Sequence, residues 1–438
     1  MKKLICLIFA LVFSVSMIGA CNNEESPETE QPTNYSIYPQ KENVVVDKQL
    51  YTDGEVQFSQ ELWKTPEIRR AVNMDFPLYR ANGYYIKSVA YKGEDTYVFG
   101  YLCIPEGEID KPLPAIVLVH GGGGTAFADL AHYWANRGYV AFSIDVEGRV
   151  PGEGGSVTTK SNREESPMPH GPSNTIWADS EKPYDEQWMY HAIAAVISSV
   201  TFLSNLPEVD PSKIGCLGIS WGSVVISATA VYEDRLAFCV PIYGSIGLSG
   251  TPSREGINID KHPRAVELWD RNDLLVNSTT PFLFVNSQVD HAFSQEVHSN
   301  CGKYLIYKQY LFIPDLTHGH YQCMNIKEID MFVDNICLNK DSALMQIETA
   351  PTNSLFTLKM KGGQPESAVL YYTKSPKLNG NLAASSVDPA ERLVWEVESL
   401  VPAEDGTFSF DVPSDSTYYF ITVTGDNGAR VSTDLIKM

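Results

Sequence analysis

Short apolar runs alternate with longer segments of helical spacing from about residue 80 onwards. Several runs are apolar at nearly every position, as expected of parallel strands that are buried on both faces. The predicted strands are Tyr84–Tyr91, Thr96–Ile104, Pro114–Val119, Tyr139–Ile144, Lys213–Ile219, Ala237–Ile242, Pro281–Asn286 and Gln309–Ile313. The predicted helices are Phe127–Asn136, Gln187–Leu206, Trp221–Tyr232 and Glu328–Leu338. This alternation predicts an α/β fold: a mostly parallel sheet covered by helices, with an antiparallel pair at its start.

Two long stretches, 147–184 and 243–277, interrupt the alternation. Both follow predicted parallel strands, and open α/β sheets build their sites at the carboxyl ends of such strands. Loops of this length inside a compact domain usually have a function. We therefore expect them to form the rim of a substrate cleft.

The pattern changes near Asp341, where short runs begin to alternate apolar and polar residues between Gly, Pro, Asp and Asn. The runs are 355–359, 368–373, 408–412 and 418–423. Such a pattern is typical of a small all-β sandwich of the immunoglobulin-like kind. The sequence thus predicts a catalytic domain at 36–340 and a β-sandwich domain at 341–438.

The first 21 residues have the pattern of an export signal, with Lys2 and Lys3 followed by an apolar run that ends at Phe13. That run is shorter than the roughly 20 residues of a membrane-spanning helix. The end of the signal, 18–21, resembles a bacterial lipobox and makes Cys21 the expected lipidation site; ordinary cleavage beside an incidental cysteine is the alternative. Residues 22–35 lack apolar periodicity and are expected to be a disordered tether. The chain is therefore predicted to be exported and held in the outer membrane by lipid, and the acidic residues after Cys21 favour the cell surface.

Charge and cysteine content exclude some functions. The formal net charge is −21, which opposes binding to nucleic acid, because that binding depends on basic residues that neutralise phosphates. The cysteines beyond Cys21 lack the paired spacing of a zinc site and are expected to be mostly buried thiols. A disulfide between two of them is the alternative. We expect neither a metal nor a cofactor.

Gly218-Ile219-Ser220-Trp221-Gly222 lies directly between a predicted strand and a predicted helix. This is the setting of a nucleophile elbow, in which a strained turn projects the serine hydroxyl above the sheet. The glycines are needed because a Cβ at either position would collide with neighbouring backbone. Ser220 is the predicted nucleophile.

Four glycines follow His120, directly after the predicted strand Pro114–Val119, and such a loop points backbone N–H groups at an anion. Acyl transfer produces an oxyanion that two such donors stabilise. The expected donors are the N–H of Trp221 and one N–H near Gly122 or Gly123. His120 itself is expected to be structural.

The general base and the acid that orients it should follow Ser220 in the chain. His318 is the preferred base because Gly319 allows a tight loop, while His320 is its rival and His291 and His298 are weaker candidates. Asp290, just beyond the strand Pro281–Asn286, is the preferred acid. Asp315 is the alternative, but it is too near His318 in the chain to reach the far ring nitrogen easily.

These motifs give the chain a resemblance to the α/β-hydrolase esterases grouped as acetylxylan esterases and dienelactone-hydrolase-like proteins. The matching segments are 120–127, 206–210, 218–223, 234–235, 240–244, 284–290 and 318–320. The resemblance implies Ser220, His318 and Asp290 as a triad and ester hydrolysis as the reaction, although dienelactone hydrolase proper has a cysteine nucleophile. It also implies an acetylated polysaccharide, or another small ester, as substrate. The alternatives are a serine peptidase of the prolyl-oligopeptidase type and an inert glycan-binding surface protein.

Overall fold

A long mixed β-sheet organises the fold. The computed structural model describes residues 51, 54–152, 162–340, 344–347, 355–356, 358–359, 364–378, 393–405 and 407–438. The predicted signal with Cys21 and the predicted tether at 22–35 lie outside these residues.

The eight strands predicted up to residue 340 are all present, and three further strands of three residues each were not predicted. Together they are β1 (Ile68–Arg70), β2 (Asn82–Lys87), β3 (Tyr97–Cys103), β4 (Leu113–Val119), β5 (Val140–Ile144), β6 (Arg149–Pro151), β7 (Arg163–Glu165), β8 (Val209–Ile219), β9 (Cys239–Ile242), β10 (Phe282–Asn286) and β11 (Lys308–Phe312). The helices are α1 (Ala128–Ala135), α2 (Trp188–Ser204), α3 (Trp221–Thr229), α4 (Arg254–Ile259), α5 (Pro263–Trp269), α6 (Gln295–Gly302) and α7 (Lys327–Cys337). β6 and β7 form a separate antiparallel pair.

The strand order of the sheet is β1-β2-β3-β5-β4-β8-β9-β10-β11. The neighbours from β1 to β3, and β3 with β5, pair antiparallel, and the later neighbours pair parallel. The predicted mostly parallel sheet with an antiparallel start is therefore confirmed, and the arrangement is an α/β-hydrolase fold. Because β4, β8, β9, β10 and β11 run in the same direction, the loops after them meet at one edge of the sheet.

Helix α2 is buried along nearly its whole length, from Trp188 to Leu203. A helix that is apolar on every face must pack against other parts of the protein on every side. The segment before β1 supplies part of this packing: the Phe58 ring stacks on Tyr190 at 4.7 Å, and the Thr201 hydroxyl donates to the Leu62 carbonyl at 2.6 Å. This segment is part of the hydrolase core although its sequence gave no strand or long helix.

The stretch 243–277, expected to be a long irregular loop, contains α4 and α5. Its local signals are a Ser253 hydroxyl that accepts the Gly256 N–H at 3.2 Å and a proline at the first turn of α5. Both helices are only six or seven residues long, so neither repeats an apolar spacing often enough to be recognised from the sequence.

Strands also form after residue 340, namely β12 (Gln346–Ile347), β13 (Leu355–Phe356), β14 (Leu358–Lys359), β15 (Pro365–Thr373), β16 (Glu396–Leu400), β17 (Phe408–Ser409), β18 (Tyr418–Gly425), β19 (Arg430–Ser432) and β20 (Ile436–Lys437). The strands β19, β18, β15 and β16 continue the hydrolase sheet, because β19 pairs antiparallel with β11 through Ser432 and Tyr310. The described residues from 51 to 438 consequently belong to one compact unit. The predicted domain boundary near residue 340 stays a prediction.

Strand β18 is buried on both faces, and successive residues of a strand point to opposite faces of the sheet. Tyr371 and Phe420 face the hydrolase core, whereas their neighbours Leu370 and Ile421 face a second core with Phe408. The second core lies between β15 and β18 on one side and β17 on the other, as expected of two β layers.

The six cysteines between Cys103 and Cys337 are free and buried. Among the helices that the structure describes, none combines the length and the hydrophobicity that crossing a bilayer requires.

Candidate active site

Ser220 occupies the sharp turn between β8 and α3, with φ 57° and ψ −117°. A non-glycine residue rarely adopts this conformation, and such strain is typical of functional turns. A Cβ on Gly218 would lie 2.4 Å from the Gly222 carbonyl oxygen, and one on Gly222 would lie 2.3 Å from the Val119 carbonyl oxygen. The predicted need for both glycines is confirmed.

Ser223, one turn into α3, secures this bend. Its buried hydroxyl donates to the Gly218 carbonyl at 2.7 Å and accepts the Ile242 N–H at 2.9 Å. The Ser220 N–H also donates to the Ile242 carbonyl, at 2.9 Å. The turn is thus fixed to the end of β9, a link that sequence reasoning missed because nothing local distinguishes Ser223 from other small helical residues.

His318 lies between Ser220 and Asp290. Its Nε2 is 2.8 Å from the Ser220 Oγ, and its Nδ1 is 2.7 Å from the Asp290 Oδ2. The network assigns the ring proton to Nδ1, leaving Nε2 as the acceptor for the serine hydroxyl. The structure therefore brings together the three residues that the sequence singled out, in the geometry of a Ser-His-Asp triad.

Asp290 is buried, and its second oxygen is also occupied. Oδ1 accepts the N–H groups of Ala292 at 2.8 Å and Phe293 at 3.0 Å. Two backbone donors fix the direction of the carboxylate. Asp290 is therefore an oriented hydrogen-bond acceptor for the imidazole of His318.

Tyr243 packs against His318, a role that sequence reasoning missed. The two rings stack at 4.4 Å, and the phenol oxygen lies 2.9 Å from the Thr317 carbonyl and 3.2 Å from the Gly319 carbonyl. Burial raises the pKa of the Tyr243 phenol well above its ordinary value, so the group remains a donor. Its position directly after β9, at the active edge of the sheet, was the available signal.

His320, the rival base, has a different position. Its Nε2 accepts the Gly121 N–H at 2.9 Å, and its ring packs edge-on against Phe127 at 5.0 Å. Burial lowers the pKa of His320 to about 4, so the imidazole stays neutral as this acceptor requires. His320 thus holds the glycine loop rather than the serine hydroxyl.

The other candidates also lie elsewhere. His298 is fully buried on α6 against Phe284, and burial lowers its pKa to about 3. The N–H of Arg254, at the start of α4, donates to the carbonyl of His291 at 3.1 Å. Asp315 has a positive φ of 57° in the loop before His318, and no hydrogen bond joins it to His318 among the described residues.

His120 forms part of the scaffold, as expected, and so does Asp145. The Val146 N–H donates to His120 Nε2 at 3.1 Å, and Asp145 Oδ2 accepts the N–H groups of Glu147 and Arg149 at 3.0 and 2.8 Å. These bonds fix the turn after β5 against the end of β4.

The glycine loop corrects one expectation. The Gly123 N–H donates to Glu147 Oε1 at 3.2 Å, so Gly123 is not a free oxyanion donor. The Gly121 N–H is taken by His320, and the Gly124 N–H by the Gly121 carbonyl. In the part of the chain that the structure describes, the N–H groups of Gly122 and Trp221 have no acceptor, and these two donors remain for an oxyanion.

Glu147 is itself anchored by Arg163. The Arg163 Nη1 lies 2.5 Å from Glu147 Oε2 and 2.9 Å from the Gly124 carbonyl oxygen. Both side chains are largely buried. An ion pair from the 147–184 stretch thus shapes the glycine loop. The sequence could not indicate this, because Glu147 precedes β6, Arg163 belongs to β7 and Gly124 follows β4, so the partners lie far apart in the chain.

Aromatic side chains enclose Trp221. Trp177, Trp188 and Phe293 lie around it, with ring centroids at 5.3, 5.8 and 6.1 Å. A Cβ on Gly122 would come within 2.8 Å of the Trp221 ring. The absence of a side chain at Gly122 therefore lets the two donor residues lie side by side.

No cluster of His, Cys, Asp or Glu with the arrangement of a metal site occurs among the described residues. The cysteines are also poor nucleophiles where they lie: burial raises the pKa of Cys103 and Cys323 to about 12.

A family model described as acetyl xylan esterase (AXE1) matches residues 35–246, a span that contains Ser220 and the glycine loop but ends before Asp290 and His318. Among solved structures, the chain resembles the acetyl xylan esterase from Paenibacillus sp. R4 (17% identity, TM-score 0.47, 62% of this chain and 90% of that one). It also resembles acetyl xylan esterase 1 from Thermoanaerobacterium sp. JW/SL YS485 (16% identity, TM-score 0.47, 61% of this chain and 88% of that one). A putative dienelactone hydrolase from Klebsiella pneumoniae is similar at 17% identity and a TM-score of 0.37, over 54% of this chain and 86% of that one.

Structural likeness at these identities leaves the substrate open. The family match confirms the resemblance that the sequence motifs predicted. Through residues 35–246 the chain matches the acetyl xylan esterase family, and it is a carboxylic-ester hydrolase with an α/β-hydrolase fold.

Proposed function

We propose that this protein removes acetyl groups from polysaccharide by acyl transfer through Ser220, with His318 as general base and Asp290 as its orienting acid. The observation that carries the proposal is the pair of contacts at His318: 2.8 Å to the Ser220 Oγ and 2.7 Å to the Asp290 carboxylate. Nucleophile, base and orienting group within hydrogen-bond distance are what acyl transfer needs.

In the first step, the Ser220 Oγ attacks the acetyl carbonyl carbon while its proton passes to His318 Nε2. The carbonyl oxygen becomes an oxyanion and accepts the N–H groups of Trp221 and Gly122. The Asp290 carboxylate stabilises the imidazolium and keeps Nδ1 protonated. The bond to the sugar oxygen then breaks, and His318 gives that oxygen its proton.

In the second step, water replaces the sugar alcohol. His318 removes a proton from the water, the resulting hydroxide attacks the acetyl-serine, and the same two N–H groups hold the second oxyanion. Collapse releases acetate and returns the proton to Ser220. The cycle consumes water and ester and requires no further reactant.

The choice of an acetylated polysaccharide is supported by the description of the matching family. The net charge of −21 is compatible with a neutral glycan and unfavourable for a polyanion. A polymer substrate also agrees with the proposed location, at the outer membrane through lipid on Cys21, which the lipobox-like segment 18–21 supports.

The test is hydrolysis of 4-nitrophenyl acetate and release of acetate from acetylated xylan, by the chain from residue 22 onwards and by its Ser220→Ala variant. We expect both activities in the wild type and a loss on the order of 10⁴- to 10⁶-fold in the variant. Activity on the small ester alone would keep the triad and reject xylan. Cleavage of peptides instead of esters would favour the peptidase alternative, and no serine-dependent activity would leave the inert glycan-binding protein.

A further inference from the structure

We infer that Trp395, in the C-terminal strands, is a positioning residue for the Ser220–His318–Asp290 triad. The inference rests on the proposed function, and it assigns the C-terminal region a part in catalysis. Trp395 lies 105 residues beyond Asp290 in the chain, yet its indole N–H donates to the Gln288 carbonyl oxygen at 3.2 Å. Gln288 belongs to the acid loop, residues 287–293, which presents Asp290.

The acid loop is held differently on its two sides. After Asp290, the N–H groups of Arg254 and Glu255 at the start of α4 donate to the carbonyls of His291 and Ala292, each at 3.1 Å. The Asn286 side chain also donates to the Phe293 carbonyl at 3.1 Å. The part of the loop after Asp290 is thus bonded both to α4 and to the end of β10.

Before Asp290 the support is thinner. The Ser287 N–H donates to the Asn286 side chain, and the Val289 N–H donates to the Ser287 hydroxyl, so both bonds are local. Among the residues that the structure describes, Trp395 supplies the one hydrogen bond that reaches residues 287–289 from another part of the chain. This half of the loop therefore depends on the C-terminal strands.

Trp395 is itself fixed in place. Its ring packs edge-on against Phe420 of β18 at 5.1 Å. The neighbouring Val394 is tied to β15, because its carbonyl accepts the Thr373 hydroxyl at 2.6 Å and its N–H donates to the Ser375 hydroxyl at 3.3 Å. A side chain held on both sides makes a rigid support for the loop beneath it.

The same aromatic cluster reaches the strand that leads to His318. Phe420 packs edge-on against Phe312, the last residue of β11, at 5.2 Å. The Phe312 N–H donates to the Ser432 hydroxyl of β19 at 2.9 Å. The C-terminal strands therefore contact both the acid loop and β11. The relative position of these two segments sets the distance between Asp290 and His318.

The experiment removes the indole N–H and keeps an aromatic ring at position 395. Trp395→Phe is one variant, and benzothienylalanine at position 395, which has the shape of tryptophan with sulfur in place of N–H, is the second. The matched control is Tyr418→Phe, which removes the 2.8 Å hydrogen bond to Glu296 at the same junction, on helix α6 rather than on the acid loop. The measurements are kcat, KM and melting temperature on 4-nitrophenyl acetate.

Loss of one hydrogen bond is expected to lower kcat about 3- to 10-fold in both Trp395 variants, with KM within about twofold, because the orientation of Asp290 matters in the transition state. The Tyr418 variant should keep the wild-type kcat at a similar change in melting temperature. In an Asp290→Asn background, Trp395→Phe should have no further effect on kcat. An equal loss in both backgrounds, or in the Tyr418 control, would overturn the inference.

A second readout does not depend on turnover. The downfield proton resonance of the His318 Nδ1–H should exchange faster with solvent in Trp395→Phe and remain unchanged in Tyr418→Phe. If the wild type hydrolyses no ester, the proposed function fails while this resonance still decides whether Trp395 positions Asp290. An unchanged resonance in Trp395→Phe would reject the inference.

Discussion

The phenol oxygen of Tyr243 lies 2.9 Å from the carbonyl oxygen of Thr317, the residue directly before His318. A second carbonyl, that of Gly319, lies 3.2 Å from the same oxygen. One hydroxyl therefore spans the backbone on both sides of the proposed base, while the aromatic ring supports the imidazole. The hydroxyl and the ring make separable contributions.

Tyr243→Phe removes the hydroxyl and keeps the ring. We expect kcat to fall about 3- to 10-fold with little change in KM, because the loop at His318 loses its hydrogen bond and two carbonyls lose a donor. Ester hydrolysis kinetics measure the effect. Tyr139→Phe is the control: its phenol is equally buried but bonds Asp334 on α7 at 2.6 Å, so it should affect stability and leave kcat unchanged. Similar kcat values in the two variants would contradict the prediction.

Substitutions at the two neighbouring histidines should have very different effects. His318→Gln removes the base next to Ser220 and should lower kcat on the order of 10⁴-fold or more. His320→Gln leaves a side-chain oxygen that accepts the Gly121 N–H, and we expect activity within about tenfold of the wild type. Steady-state kinetics at pH 8 compare the variants. The reverse ranking would show that His320 is the base.

His298 should make the protein less stable as the pH falls. Burial lowers its pKa to about 3 against the opposing influence of Asp290, whereas the unfolded chain takes up this proton near 6.5. The pKa of His298 is lower in the folded protein than in the unfolded chain. Its contribution to the free energy of unfolding is therefore complete above pH 6.5 and decreases by about 1.4 kcal/mol per pH unit below that.

Urea unfolding at pH 7 and pH 5 tests this expectation. The wild type should lose about 2 kcal/mol more than His298→Leu over that interval, since leucine cannot titrate. The comparison cancels the pH-dependent stability contributions of the other titrating groups. These include buried carboxyls such as Asp434, whose raised pKa makes the protein more stable as the pH falls. Parallel losses in the two proteins would mean that His298 is protonated in the folded state.

Gly222→Ala should disrupt the turn at Ser220. The added methyl would lie 2.3 Å from the Val119 carbonyl oxygen and 2.6 Å from that of His120. We expect a loss of about 3 kcal/mol or more in unfolding free energy, together with loss of activity. Gly93→Ala is the control: its φ is +83° but no atom lies within 4 Å of the new methyl, so it should cost only about 1–2 kcal/mol of backbone strain. A cost at Gly222 no larger than that at Gly93 would mean that the surrounding backbone relieves the collision with little loss of stability.

The sequence was most informative where a feature depends on residues close together in the chain. The glycines around Ser220 specify a tight turn by themselves, and the apolar run before them specifies the buried strand. The rule that base and acid follow the nucleophile then left few choices, and His318 and Asp290 were preferred among them.

Features that join distant segments were not accessible in this way. Gly123 looked equivalent to Gly122 because only the folded position of Glu147, 24 residues later, shows that the Gly123 N–H is occupied. The role of Trp395 could not be predicted, because its partner is a backbone carbonyl, which every residue has. The short helices α4 and α5 were missed because six or seven residues give too few repeats for a periodic pattern.

The pairing of β11 with β19 also determines which strand ends the sheet. An unpaired strand edge is a template for association with other chains. A chain truncated near residue 340 would expose the outer edge of β11, directly beside the loop that carries His318. Such a fragment should aggregate through that edge, so the C-terminal strands protect the hydrolase from self-association.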